Sequence, residues 1–262
     1  MTFCTTDCTD LGRAGWIECW PPALQALSQP QVGLQPSRPQ LHALGRLNGM
    51  GLPVFDLADG AGLATLTRAL EAALQPFAQG AFVRLGSRSP KDTAAWLGSG
   101  GRACNAQQAL AMLGGGSLRV FQDLRLCARQ GWLPWVFLRQ WRDMAAQSEW
   151  RGFVCDGHLR GLSQYHRSAV QTAADLQALQ QGGVRALVGL AGKVQAALAQ
   201  RCVVFDAWLR PDGQAELIEL NPCGPSTSMA LFDPLPPAGP AVLRWRAADG
   251  LASAPLASFQ AG

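Results

Sequence analysis

The sequence predicts an α+β protein with mainly antiparallel sheets. Two turn signals in the second half, Asp156-Gly157 and Asp212-Gly213, each separate two runs of strand-forming residues, and Asp-Gly between such runs is a strong hairpin signal. Helical stripes fall before and between these hairpins instead of alternating strictly with single strands, which argues against a doubly wound parallel sheet. The 48% hydrophobic content over 262 residues allows a sizeable core.

Taken in order, residues 1–60 read as irregular, rich in Pro, Gly and Gln, with Trp16 and Trp20 as anchors. Leu63, Leu66, Leu70, Ala73, Leu74 and Phe77 recur at helical spacing, so 62–77 is expected to be an amphipathic helix. A short strand follows over 81–85, then a polar loop, GSRSPKD, over 86–92. Glycines at 98, 100, 101 and 114–116 punctuate a short helix over 105–113, and 118–127 is helical. LPWVFLRQW (133–141) reads as a buried strand. Residues 149–155 and 159–165 form the first hairpin, where Gly161 marks a bulge or a close backbone approach. Helices over 172–181 and 184–198 lead to the second hairpin. After Leu231 the chain is Pro-rich; 242–245 is read as one last strand and the tail beyond Gly250 as disordered. The expected organisation is an N-terminal segment and helix (1–80), a first lobe (81–133), a second lobe (134–235) and a Pro-rich tail (236–262).

Charge excludes little. The net charge is +4 and the pI near 8.7, which does not by itself imply nucleic acid. No clustered Lys/Arg stripe or aromatic stacking motif supports a nucleic-acid binder. Only Lys91 and Lys193 are lysines; this arginine bias, with abundant Ala and Gly, points to a bacterial genome. No apolar stretch approaches membrane-span length, and the N-terminus shows no secretory pattern. The eight cysteines include no Cys-x-x-Cys pair and there are three histidines, so a zinc knuckle is disfavoured. Cys4 and Cys8 are close enough in sequence to reach one metal, though a frayed terminus fits them as well. The cysteines are expected to be free thiols in a reducing cytoplasm.

The most informative stretch is the second hairpin, RCVVFDAWLRPDGQAELIELNPCG (201–224). If Asp212 and Gly213 form the loop, Pro211 pairs with Gln214, and Asp206 falls opposite Glu219. Asn221 then shares their face. Opposed carboxylates repel and destabilise a hairpin, and a cation between them removes that cost. Mg²⁺ suits the set, because it takes one or two carboxylates and completes its shell with water and phosphates. A solvated sheet face, with Val203, Phe205 and Ala207 turned to the core, also explains the acids. Against it stands the apolar company on the acid face: Cys202, Val204, Trp208 and Leu217.

Four segments in order carry a resemblance: FVRLGSRSPKD (82–92), WVFLRQW (135–141), EWRGFVCDGHLRGLSQ (149–164) and VVFDAWLRPDGQAELIELNPCGPST (203–227). Together they resemble the cell division cycle protein 123 family, with a weaker match at Cys19-Trp20, over roughly residues 15 to 235. The resemblance implies an ATP-grasp fold, two β-rich lobes clamping a nucleotide, with ATP and Mg²⁺ as cofactors. It assigns Mg²⁺ to Asp206, Glu219 and Asn221, the residues that the hairpin count also reached. It implies that Arg151 faces the triphosphate; a salt bridge to Glu149 on the same strand face is the structural alternative. It places Val136, Phe137 and Leu138 beside adenine, with backbone groups on the base edge, Arg139 near the nucleotide, and Arg84 where relatives have a phosphate-binding lysine. The chain departs from the family at Arg84 for lysine, Glu219 for aspartate, Trp150 for phenylalanine and Arg88 for serine. Lys91 falls on a family match and suits a phosphate or partner contact or a solvated loop equally.

Two uses of the nucleotide follow from the resemblance. Eukaryotic members assemble a translation initiation factor, which would make this chain an ATP-regulated, chaperone-like binder with a protein partner. Other ATP-grasp proteins are ATP-dependent ligases that phosphorylate a small-molecule carboxylate and let an amine or thiol displace the phosphate. Arginines and the metal neutralise the transferring group there. The bacterial composition favours an enzyme or a secreted effector acting on a host, and the chain lacks the long acidic insertion typical of eukaryotic relatives.

Overall fold

A computed structural model describes residues 12–49, 61–232 and 239–259. Cys4 and Cys8, and most of the Pro-rich run after Phe232, lie outside them. The chain divides into two compact units, Pro30–Arg142 and the flanking Met1–Gln29 with Asp143–Gly262. The fold class is α+β, as read from the sequence. No helix among the described residues is long and apolar enough to cross a membrane.

The second unit starts with two 3-10 turns, Arg13–Gly15 and Ile17–Cys19, and a short helix, α1 (Pro22–Gln25), before the chain enters the first. There it forms β1 (Gln31–Leu34), α2 (Arg38–Leu47), α3 (Ala61–Leu74), β2 (Ala81–Leu85), α4 (Ala94–Ser99), β3 (Arg102–Ala103), α5 (Ala106–Gly114), α6 (Leu118–Arg129) and β4 (Val136–Gln140). The four strands make one sheet in the order β1-β4-β2-β3, antiparallel throughout. Val83 and Leu85 of β2 join Val136 and Leu138 of β4 in a core with Leu41, Leu44, Leu66 and Leu70 from α2 and α3.

β1 and α2 correct the reading of 1–60 as irregular. The signals for α2 are local and present: Ser37 and Gln40 form a capping box, and Pro39 lies in the first turn. β1 is four residues long and contains Gly33, too short for a period-2 pattern to register. Gly33 earns its place by contact: an added Cβ would meet the rings of Phe137 and Trp135 at 3.0–3.2 Å.

After Arg142 the chain builds β5 (Glu149–Cys155), β6 (His158–Gln164), α7 (Ala173–Ala178), α8 (Val184–Ala197), β7 (Val203–Leu209), β8 (Ala215–Asn221), β9 (Val242–Ala247) and β10 (Gly250–Pro255). Residues Leu179–Gly183 join α7 to α8 through a π-type turn. The sheet order is β10-β9-β6-β5-β7-β8, antiparallel except for the β6–β9 pair. The tail read as disordered instead pairs β10 with β9 and ends in the short helix Leu256–Phe259, where Leu256 and Phe259 are buried. At Gly161 the structure shows both a bulge, with Arg160 as the extra residue, and a close approach: a Cβ there would meet the Phe232 ring at 2.7 Å.

Candidate functional site

The hairpin β7–β8 pairs Asp206 with Glu219, as counted from the sequence, but by a different route. The loop has three residues, not two: Arg210 N–H donates to Gln214 O at 2.8 Å, so Arg210, not Pro211, faces Gln214. Gly213 supplies the positive φ of 79° that such a loop needs. This shifts the register by one residue, and a bulge at Ile218 shifts it back between Leu217 and Glu219. The two deviations cancel at Asp206. They do not cancel at Leu217, which pairs with Ala207 and is fully buried on the face opposite Asp206.

Across the sheet, register pairs place Arg244 (β9), Ser163 (β6), Arg151 (β5), Asp206 (β7) and Glu219 (β8) in one row on one face. The solvated-face alternative is excluded: Asp206 is 3% exposed and Val203–Trp208 are buried on both sides. The Arg151 guanidinium forks onto Asp206, Nε to Oδ1 at 2.6 Å and Nη2 to Oδ2 at 2.7 Å. Its Nη1 donates to Ser228 O at 2.8 Å, and the Tyr165 ring lies 4.9 Å from its carbon. The alternative pairing of Arg151 with Glu149 does not occur; Glu149 is bonded to His166 Nε2 at 3.0 Å.

Asn221 closes the group. Its Nδ2 donates to Asp206 Oδ2 at 3.2 Å and to Glu219 Oε1 at 3.3 Å. One polar hydrogen-bearing atom thus sits between two carboxylates. Turning the amide over brings its oxygen to the same place, giving three oxygen donors from two acids and an amide. That donor set fits a hard divalent cation such as Mg²⁺.

Burial pushes the Asp206 carboxyl up to about 7; the Arg151 fork works against this and the Glu219 charge works with it. For Arg151 burial opposes the charge, but the bond to Asp206 and the acids and Tyr165 around it hold its pKa above the ordinary arginine value.

The segment after β8 covers this face. Leu231 N–H donates to Ser163 Oγ at 3.0 Å, Arg244 Nη1 to Leu231 O at 3.2 Å, and Arg167 Nε to Ala230 O at 2.6 Å. Phe232 packs edge-on against Phe153 at 5.5 Å, in a small apolar cluster with Val204. None of Ser163, Tyr165, Ser228 or Arg244 was singled out from the sequence. Tyr165 is the chain's sole tyrosine, a signal that was available. The others touch the site through pairings with no local mark.

Within Pro30–Arg142, Arg84 pairs with Phe137, and Phe82 with Arg139. Pairing and alternation set Arg84, Arg139 and Phe137 on the sheet face opposite the core. Arg84 is 2% exposed and Arg139 1%. Arg84 donates from Nε to Leu85 O at 2.9 Å and from Nη2 to Ser87 O at 3.3 Å. β4 is paired along both edges, so the backbone groups of Val136, Phe137 and Leu138 are committed to the sheet. The expected backbone contacts to a base edge are corrected on that ground; what β4 offers a ligand is side chain.

The loop 86–92 is fastened to α6. Arg88 and Ser87 both bond Asp123, Arg88 Nη2 at 2.7 Å from Oδ1. Asp92 accepts from Ser117 Oγ at 2.7 Å and Arg119 N–H at 3.1 Å. Burial raises the Asp92 pKa, but these bonds outweigh it and the net shift is downward. Arg88 thus has a structural partner that explains its presence in the loop. Lys91 lies over the Trp96 ring at 5.8 Å.

The comparisons agree with this architecture. The family model described as D123 matches residues 58–234, more than half of the chain, and the chain belongs to that family. Among solved structures, Cdc123 from Schizosaccharomyces pombe superposes with a TM-score of 0.70 at 19% identity, covering 90% of this chain and 97% of that one. A C-terminally truncated form of the same protein gives a TM-score of 0.68 at 19% identity, covering 88% and 94%. At that identity the likeness shows the fold. No curated protein matches the chain.

Proposed function

We propose that this member of the D123 family binds ATP with Mg²⁺, in the ATP-grasp manner, through Asp206, Glu219 and Asn221. The observation that carries the reading is the convergence of two carboxylates and an amide on one buried sheet face beside a forked arginine. When bound, the cation supplies charge neutralisation for phosphate oxygens.

The chain's own residues do the rest. Arg151 holds Asp206 in place and presents its guanidinium beside the acids, where a phosphate oxygen can take over part of the fork. In the Pro30–Arg142 unit, Arg84 and Arg139 are proposed as phosphate and nucleotide contacts. Phe137, with Val136 and Leu138 behind it, is proposed as an apolar surface for the base.

The use of ATP that best fits a cytoplasmic bacterial protein is ligase-type phosphoryl transfer to a small-molecule carboxylate, followed by displacement by an amine. The assembly-factor reading uses the same site with ATP held instead of consumed. Titration of Asn221→Ala and Glu219→Gln with ATP tests the site. Both keep the Arg151–Asp206 pair intact, and both are expected to lose the Mg²⁺-dependent part of the affinity. Wild-type Mg²⁺ dependence in both variants would overturn it. ADP release in the presence of carboxylate and amine acceptors separates the two uses.

A further inference from the structure

Three cysteines far apart in sequence meet at one end of the six-stranded sheet. Cys155 ends β5, Cys202 directly precedes β7, and Cys223 follows β8 by two residues. Continued by one pair, the β5–β7 register sets Cys202 against Cys155. Beyond Asn221 the chain leaves the β7–β8 ladder, and Cys223 comes to the Cys155 side chain. The sulfur contact is between the outer two: Cys155 Sγ and Cys223 Sγ are 3.8 Å apart. The sulfur of Cys202 is engaged elsewhere, accepting from Asp156 N–H at 3.4 Å. None of the three is in a disulfide.

We propose that Cys155 and Cys223 are a peroxide-oxidisable dithiol, a modification site that closes to an intramolecular disulfide between the end of β5 and the segment after β8. This stands apart from the nucleotide reading and needs none of it. The sulfurs, 3.8 Å apart, must close to about 2.05 Å. Cys223 lies outside the strands, so its backbone can give without breaking a ladder pair, while Cys155 closes by side-chain rotation.

Exposure sets the order of events. Cys223 is half-buried and meets the oxidant first; Cys155 is buried. The Cys223 sulfur attacks one oxygen of hydrogen peroxide, the O–O bond breaks, and Cys223 becomes a sulfenic acid as one water leaves with the thiol proton. The Cys155 sulfur then attacks the sulfenic sulfur, the S–O bond breaks, and a second water carries off the remaining proton. Two thiols lose two electrons and the peroxide gains them. The product covalently ties the segment bearing Ser228 and Leu231, which covers the Arg151 row, to β5.

The test is a peptide map of the native full-length protein. The protein is treated with hydrogen peroxide, its remaining thiols are alkylated, and it is digested without reduction. The expected result is a cross-linked peptide pair carrying Cys155 and Cys223, lost on treatment with dithiothreitol. It should persist in Cys202→Ser and vanish in Cys223→Ser. A sulfinic acid at Cys223 with Cys155 still alkylated would overturn the proposal, and so would a bridge between Cys155 and Cys202. The wild-type map decides the matter even if a serine variant folds poorly.

Discussion

The two sheets treat buried arginines differently. In the four-stranded sheet Arg84 donates to two main-chain carbonyls of its own loop. In the six-stranded sheet Arg151 forks onto a carboxylate that is itself buried. The first arrangement turns guanidinium N–H groups onto backbone dipoles next in the chain. The second sets charge against charge and leaves a second acid, Glu219, beside the pair. The second kind of arrangement, with an acid to spare, is the one a divalent cation gains from. The two sheets thus bury an arginine in two ways, on nearby main-chain carbonyls in one and on a cross-strand carboxylate in the other.

The contrast is open to direct test, starting from the largest effect. Asp206→Ala strands the Arg151 guanidinium in the interior, and breaking a buried pair from one side costs about 3–5 kcal/mol. Urea unfolding should show that loss as a lower midpoint with little change in slope. A loss within the range of surface substitutions would mean that the pair is less buried than its 6% and 4% side-chain exposure states. The same result makes Asp206→Ala a poor probe of metal binding, since it disturbs the fold.

The pH dependence comes next. Asp206 has a folded pKa of about 7 against about 3.9 when unfolded. The folded state therefore holds its proton more tightly. Its contribution to stability is fully present below pH about 4 and is lost as pH rises through about 7. Unfolding midpoints of the metal-free protein should fall across that window, and Asp206→Asn should flatten the fall. Mg²⁺ competes with the proton, so metal affinity should rise over the same range. An unchanged slope in Asp206→Asn would assign the titration to another group.

Arg84→Met probes the other sheet. Among what it removes are the hydrogen bonds to Leu85 O and Ser87 O, at a net of about 0.5–1.5 kcal/mol each. The expected cost is smaller than that of Asp206→Ala, and ATP affinity should fall. Equal destabilisation by the two variants would erase the distinction between the sheets. The smallest effect is expected at Asp92, whose carboxylate bonds Ser117 and the first turn of α6. Asp92→Ala should cost about 1 kcal/mol, read as a small drop in thermal midpoint.

What the sequence made legible divides along local and non-local lines. Alternation and the Asp-Gly turn placed Asp206 opposite Glu219, yet they did so because a longer loop and the Ile218 bulge offset each other. The same count put Leu217 on the wrong face, since it lies between the two deviations. α3, β2 and α6 were readable from period and punctuation. β1 was not, because a four-residue strand is held by its partner β4 instead of by its own pattern. The fork from Arg151 to Asp206 and the contact between Cys155 and Cys223 join residues 55 and 68 positions apart. No spacing rule reaches that far. The family resemblance supplied Arg151 as a site residue but with triphosphate as its partner; the structure shows the carboxylate it holds.

Calorimetric titration of the purified protein with ATP, ADP and GTP, with and without Mg²⁺, tests the central claim most directly. The account predicts Mg²⁺-dependent binding that favours adenine nucleotides. Absence of binding, or binding indifferent to Mg²⁺, would contradict it and leave the Arg151–Asp206–Glu219 row as a structural feature of the sheet.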